Sequence, residues 1–454
     1  MLKADRISAL VEEKRELFLS VSNNVWKFAE IGMREFKSAG VIVDALESEG
    51  FEVISGLAGI PTAFCGTYGS GKPVIGFLGE FDALPNLSQE AGLVEQKPVE
   101  PGGNGHGCGH NLLGAASLAA AVAFKDYLKE NNLPGTVKYF GCPGEEFGCG
   151  KAFMARDGVF DDLDCALSWH PGDTNRTWTF SSLANISVYF SFSGKTAHAA
   201  AAPHLGRSAL DAAELMNIGV NFLREHIIPE ARVHYAFHDA GGQAPNVVQD
   251  RAKLHYYIRA PKQEQAREIF ERISKIAQGA ALMTETECTI KFKDGLSDYI
   301  PNQILTKVMN DAMHEIGPIP FDNADYALAK RFLPPDSAAE GKVLNSDIMP
   351  YQILGDPIPG STDVGDVSYN TPTAQLMAAT CCVGTGAHTW QMTAQGCTSA
   401  AHKGLLFAGK SMALTAVKLL DDPGILTSAH EEFVSATGGK KYKPLFPDDT
   451  MPTL

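Results

Sequence analysis

The chain has no uninterrupted apolar stretch long enough to span a bilayer, since the run Ala115 to Phe124 is cut off by Lys125 and Asp126. It also has no surplus of positive charge. With 38 Lys and Arg against 53 Asp and Glu, the formal charge is -15, which repels nucleic acid and anionic membrane surfaces at long range. Neither is expected as a partner, and an anionic substrate must be met by a local cluster of Arg, Lys or His. A disulfide rhythm is missing too. The nine cysteines are an odd number, and Cys142, Cys149, Cys165, Cys381 and Cys382 lie in or beside apolar segments, which points to a reducing compartment. The start of the chain reads as a charged amphipathic helix rather than a signal peptide, so a cytoplasmic location is expected. There are no internal repeats and no low-complexity segment.

What is present is enough for two cores. A chain of 454 residues with 44% hydrophobic content is soluble, globular and too long for one ordinary domain. Up to about Pro171, apolar runs alternate with helical patterns: Val74 to Leu78 as a strand, Leu112 to Asn131 as a helix, Thr136 to Phe140 as a strand. That alternation implies an α/β fold with a mixed, largely parallel sheet. Polar motifs follow the strands: Glu80-Phe81-Asp82, Glu145-Glu146, and His170 at the end of Cys165 to Trp169. Open α/β sheets bind ligands at the carboxyl ends of their strands, so this rim is the candidate site.

From about Ala184 the rhythm becomes strand, helix, strand, strand, helix, strand, a βαββαβ unit that can fold as a ferredoxin-like domain. The expected organisation is a catalytic domain in two parts, 1–184 and 298–454, with an inserted domain over 185–297. After the insertion, Ile304 to Ile316 and Ser399 to Leu420 read as helices and Ala378 to Val383 as a strand. Asp322 to Pro359 has weak periodicity, and its structure is left open.

The densest chemistry lies in Gly105-His106-Gly107-Cys108-Gly109-His110-Asn111 and in Gly141-Cys142-Pro143-Gly144-Glu145-Glu146. Glycines let the backbone turn tightly enough to bring Cys108 and His110 to one point. An isolated Cys-x-His is as well explained by a flexible loop with a buried thiol, and a phosphate cradle would need the Gly-Lys-Ser/Thr ending that is absent. Downstream carboxylates and histidines favour a hydrolytic metal site instead, because soft and hard ligands then stand beside a general base. Glu145 and Glu146 can face different sides of one cavity, one toward metal and one toward water; a solvated helix start is the alternative. His170 and His388 each follow an apolar run and adjoin a bulky residue, a shared setting that suggests convergence. His198 sits on a small-residue loop, Asn246 offers an amide, and Arg259 ends a strand, where a salt bridge is the commoner use of such a residue and a bidentate carboxylate clamp the alternative.

With these motifs in view, the chain resembles the aminoacylase-like di-metal peptidases, in the branch that contains indole-acetyl-amino-acid and aminobenzoyl-glutamate hydrolases. The resemblance runs nearly the whole length. It rests on Gly79 to Leu84, Gly105 to Leu113, Gly141 to Gly150, Ser168 to Pro171, Gly194 to Ala200, Pro203 to Ala209, Ser361 to Ser368, and His388-Thr389-Trp390-Gln391. It implies two divalent metal ions, zinc or manganese, held by Cys108, His110, Glu146, His170 and His388, with Glu145 as the base that activates water. It further implies that the inserted domain is a dimerisation and lid domain, that His198 reaches the partner subunit's site, and that Asn246 and Arg259 hold the substrate carboxylate. The expected substrate is a small N-acyl or N-aroyl amino acid with an acidic side chain. Aminobenzoyl-glutamate comes first, an indole-acetyl-amino acid or a dipeptide next. A homodimer is expected, with a hetero-oligomer containing a paralogous subunit, even a non-catalytic role within one, as the rival. One departure stands out: many relatives carry His-x-Asp where this chain has Glu80-Phe81-Asp82. That makes Asp82 an orienting carboxylate behind the ligands and leaves Glu80 without a role.

Overall fold

The computed structural model describes residues 2–333 and 341–453, so 334–340, part of the stretch of weak periodicity, lie outside the described residues. Strands β1 (Glu52–Ser55), β2 (Phe64–Ser70), β3 (Val74–Glu80), β4 (Gly135–Cys142), β5 (Cys165–Gly172) and β6 (Arg176–Thr177) come first. They are followed by β7 (Ala184–Ser193), β8 (Arg232–Asp239), β9 (Arg251–Ala260) and β10 (Glu287–Leu296), then β11 (Thr373–Ala379). Two sheets result. The first has seven strands in the order β1-β2-β4-β3-β5-β11-β6, and the second has four in the order β10-β7-β9-β8.

In the first sheet β4, β3, β5 and β11 run parallel, while β1, β2 and β6 are antiparallel additions. The parallel pairing follows from crossovers such as the helix His110–Asn131 between β3 and β4. That helix is buried along almost its whole length, and its small residues allow close packing. Gly409 of the helix Ser399–Asp421 lies so close that an added Cβ would sit 3.0 Å from Ala119. These two helices and Gln303–Ile316 form the main core with Leu167, Trp169, Leu376 and the other inward residues of β5 and β11. The parallel strands therefore end together, at Glu80, Cys142, Gly172 and Ala379, on one rim.

The second sheet is antiparallel and runs strand, helix, strand, strand, helix, strand through β7 to β10, with helices Ala209–Leu223 and Gln263–Thr284 packed on one face. Alternation in β9, where Ala252, Leu254, Tyr256 and Ile258 are buried and their neighbours are not, is the expected signature of a sheet covered on one side.

One strand lies elsewhere than the sequence suggested. The strand β11 covers Thr373–Ala379 rather than Ala378 to Val383. Thr380, Cys381 and Cys382 are buried, but beyond Thr380, whose backbone N–H still donates to Gly172 O at 2.8 Å, the chain leaves the ladder: Cys381 Sγ donates to Gly172 O, and Cys382 N to Gln395 Oε1. Within the stretch of weak periodicity, Asn323–Phe332 is a helix capped by Asp322. No helix among the described residues is long and apolar enough to cross a membrane, and all nine cysteines are free.

Candidate metal centre

Two glycines set the first ligand loop. Gly109 has φ +78°, a left-handed conformation, and a Cβ there would meet Pro171 at 2.8 Å. His110 then opens the buried helix with its ring at the rim. Gly107 lies against the second histidine loop: its carbonyl accepts His388 N at 2.7 Å, which draws His388 in from the far end of the sequence. His388 itself has φ +60°, the sort of backbone strain that marks an over-determined position. The carboxylate turn is pinned from outside the sheet. Buried Glu35 accepts Gly144 N at 2.8 Å and Thr62 Oγ1 at 3.0 Å, and burial, then the charge of Asp82, pushes Glu35 up to about 8.

Three groups of donor atoms converge here, each within 4.8 Å: Cys108, His110 and His170; Cys108, Glu146 and His388; and Glu80, His110 and Glu145. Cys108 belongs to the first two, so its sulfur can serve two positions. Asp82 connects them from behind, accepting His110 Nδ1–H at 2.8 Å through one oxygen and Glu146 N at 3.0 Å through the other. His170 Nδ1 donates to Pro171 O at 2.8 Å, which leaves its Nε2 facing Cys108 Sγ at 3.4 Å. In its neutral form each imidazole thus presents Nε2 as the atom with the lone pair. His388 Nε2 stands 3.2 Å from Glu146 Oε1.

The set fits divalent cations, and the test lies in what it leaves unmade. His110 Nε2 and Glu146 Oε1 are buried and make no hydrogen bond, though they face Glu80 Oε2 at 3.3 Å and His388 Nε2 at 3.2 Å, a cost that proteins rarely carry unless a ligand relieves it. Burial pushes the Cys108 thiol far up, so a nearby cation is what would make it a thiolate ligand. Burial, then Glu80 and Glu146, raises Glu145 well above the usual carboxylate range. Burial and His110 hold His170 down, and the Glu146 carboxylate beside it raises His388.

Glu80, without a role in the sequence reading, has one here. Lys151, fully buried on the helix Gly150–Arg156, lies 2.7 Å from Glu80 Oε1 and 2.6 Å from Asp363 Oδ1, and its backbone N–H bonds the other oxygen of Asp363 at 2.9 Å. Burial opposes the Lys151 charge, yet Asp363 and Glu80 raise its pKa well above normal. The second oxygen of Glu80 is 3.3 Å from His110 Nε2. His106, inside the glycine loop, is no donor to these groups: it is buried, bonded to Val25 O at 3.0 Å and held down to about 4 by burial.

Not every candidate comes to the rim. His198 and Asn246 are brought together, since Ala199 N donates to Asn246 O at 3.0 Å, but both are exposed on loops of the second sheet and belong to none of the three groups. Arg259 is nearer. Its Nη1 donates to Ser361 Oγ at 3.3 Å, two residues from Asp363, and its Nε has no partner.

The model of peptidase family M20/M25/M40 matches residues 76–326. A p-aminobenzoyl-glutamate hydrolase subunit from Escherichia coli (strain K12) is 44% identical, over 98% of this chain and 98% of its own length. Among solved structures, an aminobenzoyl-glutamate utilization protein from Klebsiella pneumoniae superposes with a TM-score of 0.63 at 18% identity, covering 91% of this chain and 98% of that one. YXEP of Bacillus subtilis, a dinuclear metal-binding peptidase of the M20 family, gives 0.57 at 17% identity, covering 89% and 99%. Both share the fold.

Proposed function

The chain belongs to peptidase family M20/M25/M40 and is a hydrolase of amide bonds, and from that premise we propose that it cleaves an N-acyl or N-aroyl amino acid. p-Aminobenzoyl-glutamate, which the name of the Escherichia coli relative specifies, is the first substrate to try. Indole-acetyl-aspartate and dipeptides follow. The observation that carries this reading is the convergence of Cys108, His110, Glu146, His170 and His388 around the orphaned His110 Nε2 and Glu146 Oε1, with Glu145 beside them. Those five residues are the proposed ligands of two divalent ions, zinc or manganese. When bound, such ions polarise a carbonyl and lower the pKa of water.

The chain's own groups supply the rest. Glu145 takes the proton of the attacking water and passes it to the leaving amine, so the acyl group departs as a carboxylate and the amino acid is released with its amine free. Asp82 fixes the tautomer of His110 and, through Glu146 N, the aim of the carboxylate turn. Arg259 and Asn246 would hold the substrate's α-carboxylate.

The proposed domains are a catalytic body, 1–184 and 298–454, and an inserted lid, 185–297. Self-association through the lid is supported by the apolar side chains it exposes: Tyr235 and Phe237 on the edge strand β8, Ile218 and Phe222 on the neighbouring helix. A homodimer would let His198 of one protomer donate to the oxyanion formed in the other, which suits its exposure on its own chain. The word "subunit" in the relative's name keeps a mixed oligomer as the second reading. A cytoplasmic location belongs to the same proposal. The experiment is to assay the purified chain alone, after loading with zinc or manganese, on p-aminobenzoyl-glutamate and a panel of acyl-amino acids. Turnover by the chain alone supports the reading; none with any acyl-amino acid, in protein shown to hold metal, contradicts it.

A further inference from the structure

The sheet face that carries His170 continues sideways into a polar platform that the hydrolysis described above does not use. In register, Ser168 of β5 lies beside Gln375 of β11, and Trp178, whose N–H bonds Gln375 O at 2.8 Å, extends that row. One step nearer the rim, His170, Met377 and Arg176 form a second row across β5, β11 and β6. Residues paired in register share a face, so these six side chains project together. The His170 and Trp178 rings are 6.0 Å apart and near parallel, Phe180 meets Trp178 edge-on at 5.5 Å, and the Arg176 guanidinium lies 4.9 Å over Phe180.

This platform is rich in donors and short of acceptors. Ser168 Oγ, Trp178 Nε1 and Arg176 Nε are buried without a hydrogen-bond partner, with Ser168 0% and Trp178 8% exposed. Among the described residues Arg176 is in no ion pair, and the charge that acts on it is that of Asp173, beyond ion-pair distance, although acidic residues outnumber basic ones in the chain. An unpaired buried N–H costs stability that a ligand acceptor can return, and a guanidinium edge matches a carboxylate better than any neutral group. A second guanidinium borders the same segment. Leu183 N bonds Gly360 O and Ile358 N bonds Ser181 O, so the chain leaving Arg176 and Trp178 is tied to the stretch that ends at Ser361, the partner of Arg259. Arg176 stands two strand spacings from His170, about 10 Å between backbones, a gap that an arginine arm and a glutamate side chain together span.

We propose that Arg176, with the indole N–H of Trp178, receives a second carboxylate of the substrate, the side-chain carboxylate of an acidic amino acid, while Arg259 takes the α-carboxylate. The inference rests on the amidohydrolase reading and deepens it: Arg176 is a specificity residue for N-acyl-glutamate over its neutral isostere.

The test compares N-benzoyl-glutamate with N-benzoyl-glutamine on metal-loaded enzyme. The wild-type ratio of kcat/KM should favour glutamate by roughly a hundredfold, because a site built for a charged acceptor rejects the analogue that lacks it. Arg176→Met should bring that ratio close to one, mainly through KM for glutamate, and Arg176→Lys should restore part of it. A wild-type ratio near one, or an Arg176→Met variant that loses both substrates in equal measure, overturns the proposal. A second readout needs no turnover. In metal-free protein, N-benzoyl-glutamate should change the fluorescence of Trp178, and the change should vanish in Trp178→Phe and weaken at least tenfold in Arg176→Met. If the wild type hydrolyses neither compound, the amidohydrolase reading is decided by the wider acyl-amino acid panel, and this titration still decides for or against the carboxylate subsite.

Discussion

Two buried clusters of charge stand side by side at the rim, and they are built on opposite principles. Around Lys151 the charges close on themselves: one ammonium lies between Glu80 and Asp363 at ion-pair distance. Around Cys108 they close less well, because His110 Nε2 and Glu146 Oε1 make no hydrogen bond, facing Glu80 at 3.3 Å and His388 at 3.2 Å, while Glu145 is driven up by burial and like charge. The first arrangement is a finished structural network, and the second is the one in which we propose that a cation completes the set. Burial alone therefore does not mark a functional group. What marks it is burial with an unmet demand.

If that contrast is right, substitutions in the two clusters should fail in different currencies. The largest effect belongs to the open cluster: Glu145→Gln should lower kcat by roughly 10³- to 10⁴-fold with bound metal retained, whereas Glu146→Gln should lose metal as well. Metal analysis beside single-turnover kinetics separates them, and equal metal loss in both would erase the proposed division of labour. In metal-free protein neither change should lower stability by more than about 1 kcal/mol, since a strained, unsatisfied carboxylate is being removed.

The closed cluster should behave in reverse. Lys151→Met leaves two buried carboxylates uncompensated and should cost about 3–5 kcal/mol in denaturant unfolding, whereas the triple change Lys151→Met, Glu80→Gln, Asp363→Asn should recover much of it. A small cost for Lys151→Met alone would mean that the ammonium is less essential than its burial suggests.

The sequence exposed the open cluster far better than the closed one. Cys108, His110, Glu146, His170 and His388 each follow a strand or a glycine turn, a local signal that survives without knowledge of the fold. Lys151 gives no such signal, because a lysine after Gly-Cys-Gly reads as a surface residue and its two carboxylates arrive from β3 and from the segment after Ser361. Arg176 escapes for another reason: β6 is two residues long, too short for any period, and only its pairing with β11 aligns it with His170. The misplaced β11 has a simple cause as well. The apolar run extends to Val383, but past the Thr380 N–H bond to Gly172 O, Cys381 and Cys382 are buried through side-chain and loop contacts rather than a ladder. In the second sheet alternation was enough, since one face is covered and the other is not.

A smaller effect concerns the joint between the sheets and the open cluster. His198→Ala should cut turnover about a hundredfold without releasing metal, consistent with loss of one oxyanion donor. Mixing it with inactive Glu145→Gln, after subunit exchange is shown by co-purification of differently tagged chains, should restore activity, because one site of a mixed dimer keeps both groups. A confirmed exchange with no recovery would place both residues in one subunit's site.

A further effect is a pH dependence outside both clusters. Asp366 accepts Ser297 N–H and Oγ–H and Tyr442 O–H, and burial pushes it up to about 7. A carboxyl whose folded pKa is raised contributes stability in full below its unfolded pKa near 4 and loses it as pH rises through 7. Unfolding free energy should therefore fall between about pH 4 and pH 7, by up to ~1.4 kcal/mol per unit, and Asp366→Asn should flatten that slope.

The most direct measurement is a calorimetric titration of chelator-treated protein with zinc and with manganese, read against metal content by mass spectrometry. Because the sulfur of Cys108 belongs to two donor groups at once, the wild type should take up two ions per chain, and Cys108→Ser should weaken both binding events together. Uptake of two ions with unchanged affinity by Cys108→Ser, or no tight uptake by the wild type, would contradict the claim that this open cluster is a two-metal centre sharing one thiolate.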